Sequence, residues 1–196
     1  ALAQQPDHID VVVTEGCATG SYTYSGQPMA LELSARNVAN GMTTNYNTTT
    51  ALSRAVTLSQ TPASGTFSLA TVPASGFAAG LANASAAFTF TTQATVPTTI
   101  TIGGQDADGV PLVASADLTK KRTAAIRSGR LQVANAYGSE FLPLPVPVNA
   151  QYWDSGWKQN KADSCTVLNL PTAANAGLVF YSPPQTSRNQ LESGEV

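Results

Sequence analysis

The stretch MALELSAR, residues 29–36, predicts the fold of this chain most directly. Its apolar side chains fall at every second position, at Met29, Leu31, Leu33 and Ala35. Because successive side chains of a strand point to opposite faces, this alternation predicts a β-strand with one buried face. The Asn40-Gly41 pair that follows is a hairpin-turn signal, since both residues tolerate a positive φ.

The same period of two recurs along the first half of the chain, in short segments separated by turn residues. The predicted strands are 9–14, 29–36, 56–59, 67–69, 86–91 and 98–102. Short strands with a turn signal every eight to twelve residues or so are typical of a sandwich of two sheets. The sequence therefore predicts an all-β protein, an antiparallel immunoglobulin-like β-sandwich built as two consecutive β units.

A cluster of basic residues marks the predicted domain boundary. Five of the ten basic residues lie between Lys120 and Arg130, and a charge run in a charge-poor chain favours an exposed connector. The predicted organisation is a sandwich over 1–116, a basic connector over 117–128, a second β unit over 129–186, and a flexible tail over 187–196. Strands of the second unit are expected at 129–134, 146–153, 156–159 and 177–181.

Alternating prolines at 143, 145 and 147 predict an edge strand over 142–148. A proline has no N–H to donate to a neighbouring strand. In an extended strand the backbone nitrogens of alternate residues face the same direction, so all three prolines lack a donor on the same side. A strand of this kind fits at the edge of a sheet, with its proline side unpaired.

Composition favours an exported bacterial β protein. Charged residues make up 11% of the chain, against about 25% in average soluble domains, and Thr, Ser, Ala, Asn and Gly fill the difference. The net charge of −2 argues against a broad nucleic-acid-binding surface. No apolar run approaches the roughly 18 residues of a membrane-spanning helix, so no transmembrane segment is expected.

The sequence offers no set of catalytic residues. Its single histidine is His8, which every Ser-His-Asp or Cys-His site would have to use, and the G-x-S-x-G motif is missing. We therefore expect no catalytic residue and no enzyme activity. One histidine and two distant cysteines also lack the spacing of a zinc site.

Two acidic residues suggest calcium as a candidate cofactor. Asp106 and Asp108 lie in Gln-Asp-Ala-Asp-Gly, residues 105–109, which resembles the start of an oxygen-rich calcium loop. The remaining ligand positions of an EF-hand loop are missing, and a polar turn between two strands explains the pattern as well.

The two cysteines, Cys17 and Cys165, lie near opposite ends of the chain. In an oxidising compartment they can pair, and closing a loop of roughly 150 residues stabilises a protein by about 5 kcal/mol in the chain-entropy model. The alternative interpretations are two buried free thiols, or cysteines whose partners lie elsewhere.

The densest aromatic cluster is a candidate sugar-binding surface. It comprises Tyr152, Trp153, Asp154 and Trp157. Aromatic faces stack on sugar rings, and a nearby carboxylate accepts hydrogen bonds from sugar hydroxyls. The alternative is a structural hairpin in which the two tryptophans pair across strands on either side of an Asp-Ser-Gly turn.

Two segments resemble one protein family. GRLQVANAYGSEFLPLPVPVNAQYWDSGWKQNKADSCT (129–166) and YTYSGQPMALELSARNVANGMTTNYN (22–47) are similar to the C-terminal conserved domain of MshQ-like proteins, encoded with the machinery of the mannose-sensitive haemagglutinin type IV pilus. The resemblance implies a piece of a longer, pilus-associated protein at the bacterial cell surface.

Two hypotheses follow from the resemblance and the residues. The first is a non-enzymatic, extracellular structural or adhesion module, whose partners are other pilus or surface subunits or further copies of itself. The alternative is a carbohydrate-binding, lectin-like module that uses Trp153 and Trp157 to bind surface glycans.

Overall fold

The structure, a computed structural model, describes residues 5–139 and 146–167. Nearly all of its regular structure is β, with one short 3-10 turn at Ala74–Gly76. The strands are β1 (His8–Thr14), β2 (Thr23–Tyr24), β3 (Pro28–Arg36), β4 (Val56–Thr61), β5 (Gly65–Phe67), β6 (Thr71–Val72), β7 (Leu81–Phe90), β8 (Thr98–Asp106), β9 (Leu112–Ala114), β10 (Thr123–Arg127), β11 (Gly129–Val133), β12 (Val148–Trp153) and β13 (Trp157–Gln159).

Ten of these strands form two five-stranded sheets that enclose an apolar core. The first sheet has the order β5-β7-β3-β1-β9 and the second the order β2-β10-β8-β4-β6. Their inward side chains belong to a single buried cluster, for example Val11 and Leu33 from the first sheet and Ile100, Ile102 and Ile126 from the second. The predicted all-β sandwich is therefore confirmed.

Strands β1 and β3 lie in the interior of the first sheet. They pair in antiparallel register from His8 opposite Arg36 to Thr14 opposite Ala30. The apolar positions that alternate in the sequence are the ones that the structure buries, and Leu33 is completely buried. Alternation is informative in these strands because one face of each contacts the core and the other does not.

Strand pairing differs from the prediction at two places. The prediction was antiparallel throughout, but β1 pairs with β9 in parallel, and so does β10 with β2. A parallel neighbour requires the chain to cross over before it returns. Several strands separate β9 from its partner β1, and β10 from its partner β2, along the chain. Local periodicity therefore does not reveal the relative direction of these paired strands.

The predicted basic connector, 117–128, is only partly a connector. Residues 123–127 form β10, which pairs with β8 and buries Ala124 and Ile126 in the core. The basic residues are compatible with a buried strand for two reasons. Lys120 and Lys121 precede the strand, and the side chain of Arg127 lies on the face opposite to Ala124 and Ile126.

The remaining three strands form a small sheet of order β11-β12-β13. Strand β12 is its central strand, and Pro147 directly precedes β12, where its carbonyl oxygen accepts a hydrogen bond of 2.9 Å from the N–H of Ala134. Only residues 146–148 of the predicted edge strand are described. They do not form an edge strand, because Val148 begins the central strand β12. Residues 143 and 145, the predicted strand 177–181 and the predicted tail 187–196 lie outside the described residues.

The chain forms two compact units. Of the described residues, 5–131 and Ala150–Cys165 belong to one unit, and 132–139, 146–149, 166 and 167 belong to the second. The contacts of the candidate site all lie within the first unit. Among the described residues, none belongs to a helix of the length and apolarity that crossing a membrane requires.

Candidate functional site

A disulfide joins the two ends of the first unit. Cys17 lies three residues beyond β1 and is almost completely buried, and its Cα atom is 5.5 Å from that of Cys165. The bond spans 148 residues of sequence, so it connects the segment that follows β1 to the segment that follows β13. The pairing predicted for these cysteines is therefore the one in the structure.

A polar network surrounds the disulfide. The hydroxyl of Tyr24 donates a hydrogen bond of 2.9 Å to Oδ2 of Asp163 and accepts one of 2.6 Å from the amide of Asn160. The other oxygen of Asp163 accepts a 3.0 Å hydrogen bond from the N–H of Cys165. Burial raises the pKa of Tyr24 above its ordinary value, and the Asp163 carboxylate adds to this shift. Tyr24 is therefore a neutral donor at physiological pH.

Arg127, at the end of β10, lies between two aromatic rings. Its guanidinium carbon is 4.2 Å from the ring centroid of Tyr22 and 4.7 Å from that of Tyr152, and Nη1 donates a 3.2 Å hydrogen bond to Asn160. Each cation–π contact is worth about 0.5 to 2 kcal/mol, depending on desolvation. Arg127 thus links the sandwich to both β12 and the segment that follows β13.

We call residues 150–165 the clamped segment, because the disulfide, the Tyr24 network and Arg127 all hold it against the sandwich. Backbone contacts add to this attachment: the N–H of Trp153 donates to the carbonyl of Ser128 at 2.8 Å, and that of Ser155 donates to Thr95 at 2.7 Å. Four kinds of contact therefore hold sixteen residues that bury few apolar side chains.

The predicted sugar-binding cluster is divided between two faces of the small sheet. Trp153 and Trp157 are cross-strand partners, with ring centroids 5.2 Å apart and planes at 75°. Tyr152 points to the opposite face, toward Arg127, because neighbouring side chains of a strand alternate. The carboxylate of Asp154 forms an ion pair with Lys158.

The tryptophan face also carries a stacked cation. The guanidinium carbon of Arg130 lies 4.0 Å from the ring centroid of Trp157, and its Nε donates a 2.9 Å hydrogen bond to Gln151. One face of Trp157 is therefore covered by Arg130, and its ring also contacts Trp153 in an edge-to-face arrangement. The surface on which a sugar ring can stack is therefore limited to the parts of Trp153 and Trp157 that Arg130 and the contact between the two rings leave uncovered.

The predicted calcium ligands have protein partners in the structure. Asp106 is buried at 3% exposure, and its Oδ2 accepts a 2.7 Å hydrogen bond from Tyr46, while its Oδ1 accepts bonds of 2.9 Å from the N–H groups of Asp108 and Val110. The side chain of Asp108 forms a 2.7 Å ion pair with Arg54. These contacts fit the polar-turn interpretation, and calcium binding at this turn stays a prediction.

His8 lies between two carboxylates. Its Nδ1 is 2.8 Å from Asp7 and its Nε2 is 3.5 Å from Asp10. Asp10 is buried at 3% exposure and also forms a 3.1 Å ion pair with Arg36. Both nitrogens of the imidazole thus face acidic groups, an arrangement that fits a structural position on the outer side of the first sheet.

One cluster among the described residues has the composition of a metal site, namely Cys17, Asp163 and Cys165. The two sulfur atoms are bonded to each other. A thiolate is the form of cysteine that binds a metal, so the oxidised pair offers none, and Asp163 already accepts hydrogen bonds from Tyr24 and Cys165.

Sequence analysis did not identify Tyr24, Arg127, Asn160 and Asp163 as a group. The partners lie 33 to 139 positions apart, so no local motif joins them. The available signal was the disulfide itself. Once Cys17 and Cys165 are paired, the tyrosines that follow Cys17 and the polar residues that precede Cys165 must lie close together.

Comparison with known families gives two matches. The family model described as DUF6701, third domain, matches residues 5–129, and the model described as DUF6701, fourth domain, matches residues 127–194. The disulfide therefore joins a cysteine of the third-domain match to a cysteine of the fourth-domain match. Neither the curated proteins nor the solved structures include a significant match to the chain.

Proposed function

The chain belongs to the DUF6701 family, and from this premise we propose that it is a non-enzymatic structural or attachment module of the bacterial cell surface, associated with a pilus. The pilus association rests on the resemblance of residues 22–47 and 129–166 to MshQ-like proteins. The partners in this proposal are other surface or pilus subunits, including further copies of the chain.

The observation that carries the proposal is the disulfide between Cys17 and Cys165. Structural disulfides persist in oxidising compartments and are rare in the bacterial cytosol. Cys17 is almost completely buried, and Cys165 is half-buried beside Tyr22, whose hydroxyl is 3.7 Å from the sulfur of Cys165. This environment suits a permanent structural link rather than an exposed thiol pair that cycles between oxidation states.

The side chains of the described residues also support a non-catalytic role. Two buried carboxylates, those of Asp10 and Asp106, are engaged by Arg36 and Tyr46 within the sandwich. These two carboxylates therefore serve internal contacts of the fold, as expected of a module that acts through its shape and surface.

The test is the redox state and location of the protein in its own cells. Free thiols are blocked with a membrane-permeant maleimide before lysis, and the peptides containing Cys17 and Cys165 are then analysed by non-reducing mass spectrometry. The proposal expects a disulfide-linked peptide pair in the surface fraction. Maleimide on both cysteines of protein confined to the cytosol would refute it.

Glycan binding is a second candidate, favoured by the placement of Trp153 and Trp157 on one face of the small sheet. A glycan array compares the native protein with Trp157→Ala and with Lys121→Gln, a control on an exposed residue that precedes β10. Binding that the tryptophan substitution removes and the lysine substitution retains would support a lectin. Equal signals for all three proteins would exclude this surface as the glycan site.

A further inference from the structure

We propose that Cys17–Cys165 is a covalent route for mechanical tension, which lets the chain transmit a pulling force while the sandwich stays folded. The use of such a route by the cell rests on the proposed attachment function, because surface attachments are pulled by flow. The route itself is a property of the fold and is measurable on the isolated protein.

The first part of the route is β1. A force that enters before His8 and leaves through Cys17 pulls on the two ends of the same strand. A strand already rises about 3.3 Å per residue, close to the maximum of about 3.3–3.6 Å of an extended chain. Tension along β1 therefore lengthens this part of the chain very little.

The hydrogen bonds of β1 are not loaded in this geometry. Its antiparallel pairing with β3 and its parallel pairing with β9 would resist the force only if the force entered through β1 and left through a neighbouring strand. Because it leaves through the end of β1 itself, those ladders keep β1 in place without opposing the pull.

The second part of the route is the disulfide. From Cys17 the force passes to Cys165 and onward along the chain, so the 148 residues of sequence spanned by the bond are bypassed. These residues include β2 to β13, and with them most of the buried core. The loop corresponds to about 500 Å of extended chain that cannot be released while the bond is intact.

The clamped segment holds Cys165, through which the force leaves, beside Cys17 at the far end of β1. Asp163 contacts both Tyr24 and the backbone of Cys165, and Cys17 pairs with Tyr22 in a short bridge. These contacts hold both sulfur atoms against the sandwich. The force therefore reaches the disulfide without first straightening a loose loop around Cys165.

Without the bond, the same force would act on the sandwich. It would enter through β1 and leave through the clamped segment, with the two sheets in series between them. The hydrogen-bond ladder of β1 and the contacts of Tyr24 and Arg127 would then have to resist the force. Unfolding would release the whole loop.

Single-molecule pulling between handles at the two termini tests the proposal. The native protein is held at constant force with a dithiol reductant, which is itself oxidised as Cys17 and Cys165 become thiols. Thiolate attack lengthens the S–S bond on the way to exchange, so tension through this bond accelerates its reduction. We expect the cleavage rate to rise with force, and each cleavage to be followed by an extension of about 500 Å.

A Cys17→Ser/Cys165→Ser variant provides the second measurement, and we expect it to release the same length without reductant at forces that the native protein withstands. Leu33→Ala with the disulfide intact is the matched control, because it weakens the core and leaves the route in place. A cleavage rate that is independent of force would overturn the proposal even if the serine variant failed to fold. Failure of the pilus or attachment function would leave these force measurements unchanged.

Discussion

One tyrosine donates to an aspartate within the sandwich and another donates from the sandwich to an aspartate of the clamped segment, but the two pairs lie in different surroundings. Tyr46 donates to Asp106 at 2.7 Å within the buried interior, and both residues are nearly inaccessible. Tyr24 donates to Asp163 at 2.9 Å at a partly exposed site. The first pair is one contact among many in a deep core, whereas the second is one of the few that hold its segment.

This difference indicates that the two regions are stabilised by different physical effects. The sandwich buries a continuous apolar cluster between two sheets, so the hydrophobic effect dominates its stability. The clamped segment has no comparable core, and its β13 buries none of its three residues. It depends instead on a covalent bond, a stacked arginine and a hydrogen-bond network, each of which a single substitution removes.

The largest expected effect comes from Cys17→Ser/Cys165→Ser. Loss of a crosslink spanning 148 residues lowers the free energy of unfolding by about 5 kcal/mol in the chain-entropy model. Denaturant unfolding measures the total, and hydrogen exchange should show the first loss of protection in residues 150–165. A variant whose clamped segment exchanges as slowly as in the native protein would show that noncovalent contacts suffice to hold it.

Leu33→Ala probes the sandwich itself. Leu33 is completely buried in β3, so its truncation should cost about 2 to 5 kcal/mol through lost burial and a residual cavity. The matched control is Leu131→Ala in β11, where the side chain is 45% exposed, and surface truncations of this kind stay within about 0.5 kcal/mol. Equal destabilisation by the two substitutions would contradict the dominant role of core burial in the stability of the sandwich.

The sequence was sufficient to predict the sandwich because its strands each bury one face. Leu31, Leu33 and their neighbours alternate with polar residues, and this pattern is local to the strand. Strand β10 was not predicted, although Ala124 and Ile126 alternate in it as well. There the flanking basic side chains suggested an exposed connector, because they belong to the outward face and to the preceding loop.

The candidate site was predictable only through its cysteines. Tyr24 and Asp163 are 139 positions apart, and neither lies in a motif that indicates the other. The aromatic cluster was recognised from its composition, yet the division of Tyr152 from Trp153 and Trp157 depends on strand alternation and on register. Contacts between distant segments depend on how sheets pack, which local periodicity does not specify.

Tyr46→Phe and Tyr24→Phe compare the two tyrosine–aspartate pairs directly. Asp106 keeps two backbone donors in the first variant, so we expect a loss of about 1 to 2 kcal/mol, which reflects a buried acceptor with one partner fewer. At the more exposed second site water can replace the hydroxyl, and the loss should be about 0.5 to 1 kcal/mol.

The location of the effect distinguishes these two variants more sharply than its size. Tyr46→Phe should raise hydrogen exchange throughout the sandwich, because the core unfolds as a unit. Tyr24→Phe should raise it in the clamped segment alone, while the disulfide still holds Cys165. If Tyr24→Phe accelerated exchange in β3 and β8 as much as Tyr46→Phe does, the segment and the sandwich would be a single cooperative unit.

The smallest expected effect is that of Arg130→Lys on the tryptophan face. The substitution retains the charge but removes both the planar stack on Trp157 and the hydrogen bond from Nε to Gln151, so we expect a loss of about 0.5 to 1 kcal/mol, as for an exposed cation–π contact. Tryptophan fluorescence should change, because the guanidinium no longer covers the ring. Lys158→Gln is the control, since it alters an exposed ion pair with Asp154 on the same hairpin and should leave the fluorescence and the unfolding midpoint unchanged. An identical response to both substitutions would mean that the stacked arginine contributes no more to the hairpin than the exposed ion pair between Lys158 and Asp154 does.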